Sequence, residues 1–117
     1  MSNQRRAGNK GEALASIYIQ NLGYTIKTIN WRYRYWEVDI IAMDGDTLVF
    51  VEVKSRTTTN YGRPEFFVDA KKQKNLIQAA DAYLEMSGYQ GDIRFDIVSV
   101  YLGTNKIELI KDAFWSN

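Results

Sequence analysis

The sequence contains no cysteine and no histidine. Without cysteine there is no disulfide framework and no thiolate metal site. Without histidine, the usual general base and the commonest zinc ligand are both missing. Any catalysis must run on carboxylates, lysines, hydroxyls or a bound metal. Long hydrophobic runs are absent too: nothing approaches the length of a membrane span, and no signal peptide is visible at the N-terminus. The expectation is a cytoplasmic protein with no membrane partner. Neither sign of charge dominates, since 15 basic residues meet 14 acidic ones for a net charge of +1.

What is present fits one domain over residues 1–117, with residues 1–7 as a loose tail. Apolar residues make up 45% of the chain and charged residues 25%, enough for one hydrophobic core. The small net charge hides clustering. Basic residues gather at Arg5, Arg6 and Lys10, at Arg32 and Arg34, at Lys54, Arg56 and Arg63, and at Lys71, Lys72 and Lys74. Such groups suit phosphate binding and equally suit a solvated surface.

The pattern along the chain predicts a helix from about Lys10 to Asn21, with Leu14, Ile17, Tyr18 and Leu22 on one face and Gly23 closing it. Strands are expected at 24–34, 36–43 and 47–55, the last two joined by a turn at "DGD". Residues 57–64 read as a loop. Asp69 is a candidate N-cap for a second helix with Leu76, Ile77, Ala80, Tyr83 and Leu84 on its apolar face. Residues 93–102 form a strongly apolar fourth strand, and 106–110 a candidate fifth. The class is α/β: a mixed four- to five-stranded sheet flanked by two helices, in the order helix, three strands, helix, one or two strands.

The third strand, "VFVEVKSR", poses a problem, because Glu52 and Lys54 sit among buried-looking valines. Strand side chains alternate faces. That puts Leu48, Phe50, Glu52 and Lys54 on one face and the valines on the other. In the second strand, Glu37, Asp39 and Ile41 share a face, opposite Val38, Ile40 and Ala42. A type II′ turn at Gly45-Asp46 sets a hairpin register in which partner numbers sum to 91. Phe50 then meets Ile41, Val51 meets Ile40 and Val53 meets Val38, while Glu52 faces Asp39 and Lys54 faces Glu37. Two carboxylates ~5 Å apart repel unless something positive lies between them. A divalent cation held by hard oxygen ligands, Mg²⁺ or Mn²⁺, is the simplest answer. Glu12, after "GNKG" at the head of the first helix, is a third acid, though the helix dipole alone explains an acid there. The bland alternative for Glu52 and Lys54 is a pair of surface charges on a sheet face open to water.

The segments "GNKGEALA", "NWRYRYWEVDIIA", "LVFVEVKSR", "YGRPEFFV", "KKQKNL" and "IRFDIVSV", in this order, resemble the YraN-like family of small bacterial proteins. That family is similar to the restriction-endonuclease-like nucleases of the PD-(D/E)xK superfamily and, within it, to archaeal Holliday-junction resolvases. The resemblance implies a restriction-endonuclease-like core and a Mg²⁺- or Mn²⁺-dependent endonuclease acting on DNA, including branched or recombination intermediates. It marks Asp39 as the motif aspartate, Glu52 and Lys54 as the acid and lysine of E-x-K, and Glu12 as the helical glutamate completing the metal site. Lys72 and Gln73 belong to its helix motif and are expected near phosphate; independently of the resemblance, the basic clusters make Arg32, Arg34 and Arg56 further candidate nucleic-acid contacts. One departure is Trp36, where the family commonly has glycine. Resolvase-like relatives act as dimers, so a homodimer is one expectation.

The aromatic-basic run "WRYRYW" fits base stacking, or a strand with aromatics packed inward and arginines at the edge. Asp96 fits a supporting role or a pair with Arg94, and is not counted as a ligand. The rivals to a nuclease are a DNA-binding module that does not cut and a partner-interaction protein in which the carboxylates are incidental.

Overall fold

The computed structural model describes residues 3–56, 69–104 and 106–114, and for residues 3–9 the backbone alone. Seven elements follow in the order α1 (Asn3–Asn21), β1 (Thr25–Tyr33), β2 (Trp36–Asp44), β3 (Thr47–Arg56), α2 (Ala70–Ser87), β4 (Ile93–Tyr101) and β5 (Lys106–Ile110). The strands form one sheet in the order β1-β2-β3-β4-β5. β3 and β4 run parallel with α2 as their crossover, and the other pairs are antiparallel. This is the expected mixed α/β architecture, with the fifth strand present.

The helices cover opposite faces. Val49, Val51, Val98 and Val100 pack under α1 with Ala15 and Ile19, while Leu48, Phe50, Phe95 and Ile97 pack under α2 with Leu76, Ala79 and Ala80. α2 is capped as its sequence predicts: the Asp69 carboxylate accepts the Lys72 N–H at 2.8 Å, and Gly88 closes the helix with φ 73°. No helix among the described residues is long and apolar enough to cross a membrane.

α1 departs from expectation twice. It begins at Asn3, inside the stretch expected as a tail, because Gln4, Arg5, Arg6 and Ala7 are good helix formers. Its buried face is the expected one only at Leu14 and Tyr18, which pack against the core. Ala15, Ser16 and Ile19 are buried, whereas Ile17 and Leu22 are 57% and 52% exposed. The reason is close approach. A Cβ added to Gly11 would lie 3.1 Å from the Ser55 Cβ of β3, so small residues face the sheet here. Gly23, with φ 102°, ends the helix as expected, and the Tyr24 N–H reaches back to the Ile19 carbonyl at 3.0 Å.

The β2–β3 hairpin holds the expected register from Asp44–Thr47 to Ile40–Val51. Gly45 takes φ 60° and Asp46 does not take a positive φ, as a type II′ turn requires. Beyond Ile40–Val51 no β2–β3 pair forms among the described residues, so Asp39–Glu52, Val38–Val53 and Glu37–Lys54 are not ladder partners. The strands part because the Asp39 side chain takes the Val53 N–H at 2.8 Å. Strict alternation also fails in β2. Val38 packs on the α2 side, while Ile40 and Ala42 pack on the α1 side. The cause lies in the neighbouring strand β1, which carries an extra residue at Lys27 and a left-handed residue, Asn30 with φ 55°, at the position facing Asp39.

Candidate metal centre

The parting of β2 and β3 creates the site. Asp39 sits in the gap, its Oδ2 fixed by the Val53 N–H. From the α1 side come Glu12, carried by the helix that Gly11 lets approach β3, and Glu37 of β2. One carboxylate oxygen from each of Glu12, Glu37 and Asp39 lies within 4.8 Å of the others. From the α2 side comes Glu52, whose side chain is only 4% exposed. Its Oε1 stands 3.5 Å from the Lys72 ammonium, while Oε2 is buried and meets no hydrogen-bond donor among the described residues.

The electrostatics follow from this crowding. Burial, then the neighbouring Asp39 charge, push the Glu52 carboxyl up to about 8, against the pull of Lys72 and Lys54. Without a cation, Glu52 therefore holds a proton at neutral pH and donates it toward Asp39. Burial raises Asp39 as well, opposed by the Val53 N–H and Lys72. Glu12 is raised by burial and by Asp39, while the Asn30 side chain bonds to it and draws the other way. Three carboxyls are thus held above their ordinary range around Asp39, which makes this the candidate functional site.

The sequence pattern of the family described as "Uncharacterised protein family UPF0102" matches residues 11–100. The chain belongs to the UPF0102 family, the YraN-like family of the sequence resemblance. It is similar to the UPF0102 protein of Chlorobium chlorochromatii, 47% identical over 92% of this chain and 90% of that one. A UPF0102 protein of Syntrophus aciditrophicus is 44% identical over 97% of this chain and 92% of its own.

Within this UPF0102 chain the expected site residues fall into two groups. Asp39 is the common neighbour: Glu12 reaches it from the α1 side, and Glu52, with Lys72 beside it, reaches it from the α2 side, outside the three-carboxylate group. Lys54 acts on Glu52 from one residue pair further along β3 and stands beside Ser99 of β4, not opposite Glu37. Gln73 is half-buried in the first turn of α2, and Arg56, also half-buried, ends β3 opposite Tyr101. Arg32 and Arg34 are exposed. Arg32 reaches the Glu37 carboxylate at 2.8 Å, which ties it to the rim of the cluster. Arg34 lies over the Tyr33 ring, 5.4 Å from its centre.

The aromatics of "WRYRYW" mostly turn inward. Trp31, Tyr33 and Trp36 stack in a row, and Trp31 also meets Tyr83 of α2 edge-on. Trp36 thus packs on the α2 side, while Tyr35 is 96% exposed at the hairpin tip. Sequence reasoning missed two members of the site. Glu37 was expected only as a partner for Lys54, and Asn30 had no assigned role. Asn30 had one signal: asparagine is the side chain that best tolerates a left-handed backbone. The segment "YGRPEFFV" and Arg63 lie outside the described residues.

Proposed function

We propose that this protein is a Mg²⁺- or Mn²⁺-dependent endonuclease that hydrolyses phosphodiester bonds in DNA. The observation that carries this reading is Glu52, buried against a second acid with one oxygen that meets no donor among the described residues. Such an arrangement costs stability without a ligand, and a divalent cation relieves it. The donor set is all oxygen, which suits Mg²⁺ or Mn²⁺ over softer metals. Asp39 and Glu52 would hold the ion, with Glu12 and Glu37 completing the set from the α1 side. When bound, the ion acidifies a water and neutralises charge on the scissile phosphate.

The chain's own residues do the rest. The Val53 N–H keeps Asp39 aimed into the gap. Lys54 and Lys72 bring two ammonium groups to the same place, where they offset negative charge as it grows on the phosphate. Arg32 and Arg34 reach out for neighbouring phosphates, which positions the strand without reading its sequence. In this reading Gln73 and Arg56 are further contacts to the nucleic acid. The likeness to restriction-endonuclease-like nucleases supports the assignment of Asp39, Glu52 and Lys54. The place of action that goes with this reading is the cytoplasm, and cutting both strands of a duplex takes two copies.

The test is incubation of the purified protein with labelled linear, branched and single-stranded DNA and with RNA, in Mn²⁺ or in EDTA. Cleavage is expected in Mn²⁺ alone, and it should vanish in Asp39→Ala and Glu52→Gln. Mn²⁺ binding with salt-dependent DNA binding and no cleavage would make the protein a DNA-binding module. A protein that neither binds Mn²⁺ nor cuts would overturn the reading.

A further inference from the structure

Between α1 and β1, against the acid cluster, lies an open pocket of about 250 Å³ lined by Glu12, Ala13, Ser16, Ile29 and Asn30. It is smaller than the ~300–1,000 Å³ typical of pockets for larger ligands, so it suits one ring-and-sugar group. Its walls are of two kinds. Ile29 is a large apolar side chain left 46% exposed there, with Ala13 across from it. Asn30 supplies a carboxamide, held by a backbone at φ 55° that a non-glycine residue adopts only at a cost. That left-handed turn has a visible effect. Trp31, the next residue, packs on the α2 side, while Ile29 and Asn30 face the pocket beside α1. The amide bonds to Glu12. A carboxamide has two donors and an acceptor, so one such bond leaves polar edge atoms for a ligand.

We propose that this pocket is a nucleoside subsite, taking the base and sugar of a nucleotide whose phosphate lies at the acid cluster. Ile29 and Ala13 press on the flat face of the base, and the Asn30 amide meets its polar edge. Charge explains the division of labour. Glu12 lines the pocket, so a phosphate anion is unwelcome there, whereas a neutral base and sugar are not. The inference rests on the metal-nuclease reading and extends it by naming what is held beside the metal.

Nuclear magnetic resonance on the full chain tests both layers separately. Mn²⁺ is added first, and signals from Glu12, Asp39 and Glu52 should broaden. Absence of that broadening overturns the metal reading, and the subsite with it. In Mg²⁺, a deoxynucleoside 5′-monophosphate is then titrated against inorganic phosphate. Both should move the Asn30 side-chain amide, which bonds to Glu12 of the cluster, but only the nucleotide should shift the Ile29 methyl signal. Ile29→Ala should raise the nucleotide Kd about five- to ten-fold, with Mn²⁺ affinity unchanged. An equal Ile29 methyl shift from phosphate, or an Ile29→Ala protein that binds nucleotide as wild type does, overturns the subsite and leaves the metal reading standing.

Discussion

Two acids lie buried in adjacent central strands, and their surroundings could hardly differ more. Asp96 of β4 is fully buried, and its oxygens accept from Arg94 Nε and Nη2, from the Tyr24 hydroxyl, each at 2.8 Å, and from the Asp112 N–H at 3.0 Å. Arg94 continues to Asp44 at 2.9 Å, and Lys111 joins the same carboxylate at 3.5 Å. Glu52 of β3 has one lysine at 3.5 Å, another acid beside it and an oxygen with no donor among the described residues. A saturated buried acid ties strands together. One left short of donors is stable only when something else supplies positive charge.

The sharpest way to break this contrast is to truncate each acid. Asp96→Ala strands Arg94 and the Tyr24 hydroxyl, and should cost ~3–5 kcal/mol in urea unfolding. Glu52→Gln puts a neutral donor where the metal-free acid holds its proton, so the metal-free protein should be as stable as wild type at neutral pH and more stable above pH about 8. A Glu52→Gln protein destabilised as much as Asp96→Ala would end the distinction.

The pH profile is the next largest effect. Glu52 has a raised folded value, about 8 against an ordinary 4.5. Between those values the folded state binds more protons than the unfolded state, so metal-free stability should fall as pH rises, by up to ~1.4 kcal/mol per pH unit at the steepest. The raised Asp39 and Glu12 act in the same direction. Melting curves from pH 5 to 8 should lose most of this slope in Glu52→Gln, and saturating Mn²⁺ should flatten it in wild type. An unchanged slope in the variant would mean that Glu52 is not the proton holder.

Gly11→Ala asks whether the unsaturated site depends on the placement of α1. The new Cβ would meet Ser55, and the clash should cost ~1–3 kcal/mol and weaken Mn²⁺ binding by displacing Glu12. Ser55→Gly in the same protein should restore much of both. The smallest effect is expected at Arg32, whose pair with Glu37 is 70% exposed on the arginine side. Arg32→Ala should change stability by no more than ~0.5 kcal/mol. It should nevertheless weaken DNA binding and lower its salt dependence by roughly one counterion.

The hairpin was legible because Gly45 and the alternating apolar residues fix the register of five pairs together. The register could not be extended to Asp39 and Glu52, since a period of two has no place for a left-handed residue in the neighbouring strand. The carboxylates still meet, through the gap and not across a ladder. The face of α1 was read correctly at Leu14 and Tyr18 and wrongly at Ile17 and Leu22, because large apolar residues stand out in a sequence, while close helix–sheet approach selects Gly11, Ala15 and Ser16. Lys72 meets Glu52 only through the long crossover between parallel strands, a contact that local pattern does not encode. It was expected near the site through family resemblance alone. Glu37 was hidden by the same false extension of the hairpin.

β1 is an outer strand of the sheet, and the side that no strand among the described residues pairs with is a row of backbone groups open to another chain. The extra Lys27 and the left-handed Asn30 cut that row into runs of two or three regular residues, Thr25–Ile26, Thr28–Ile29 and Trp31–Tyr33. A strand from a second copy would lose its footing at each break. The irregularity that turns Ile29 and Asn30 toward the pocket therefore also works against strand pairing along this edge.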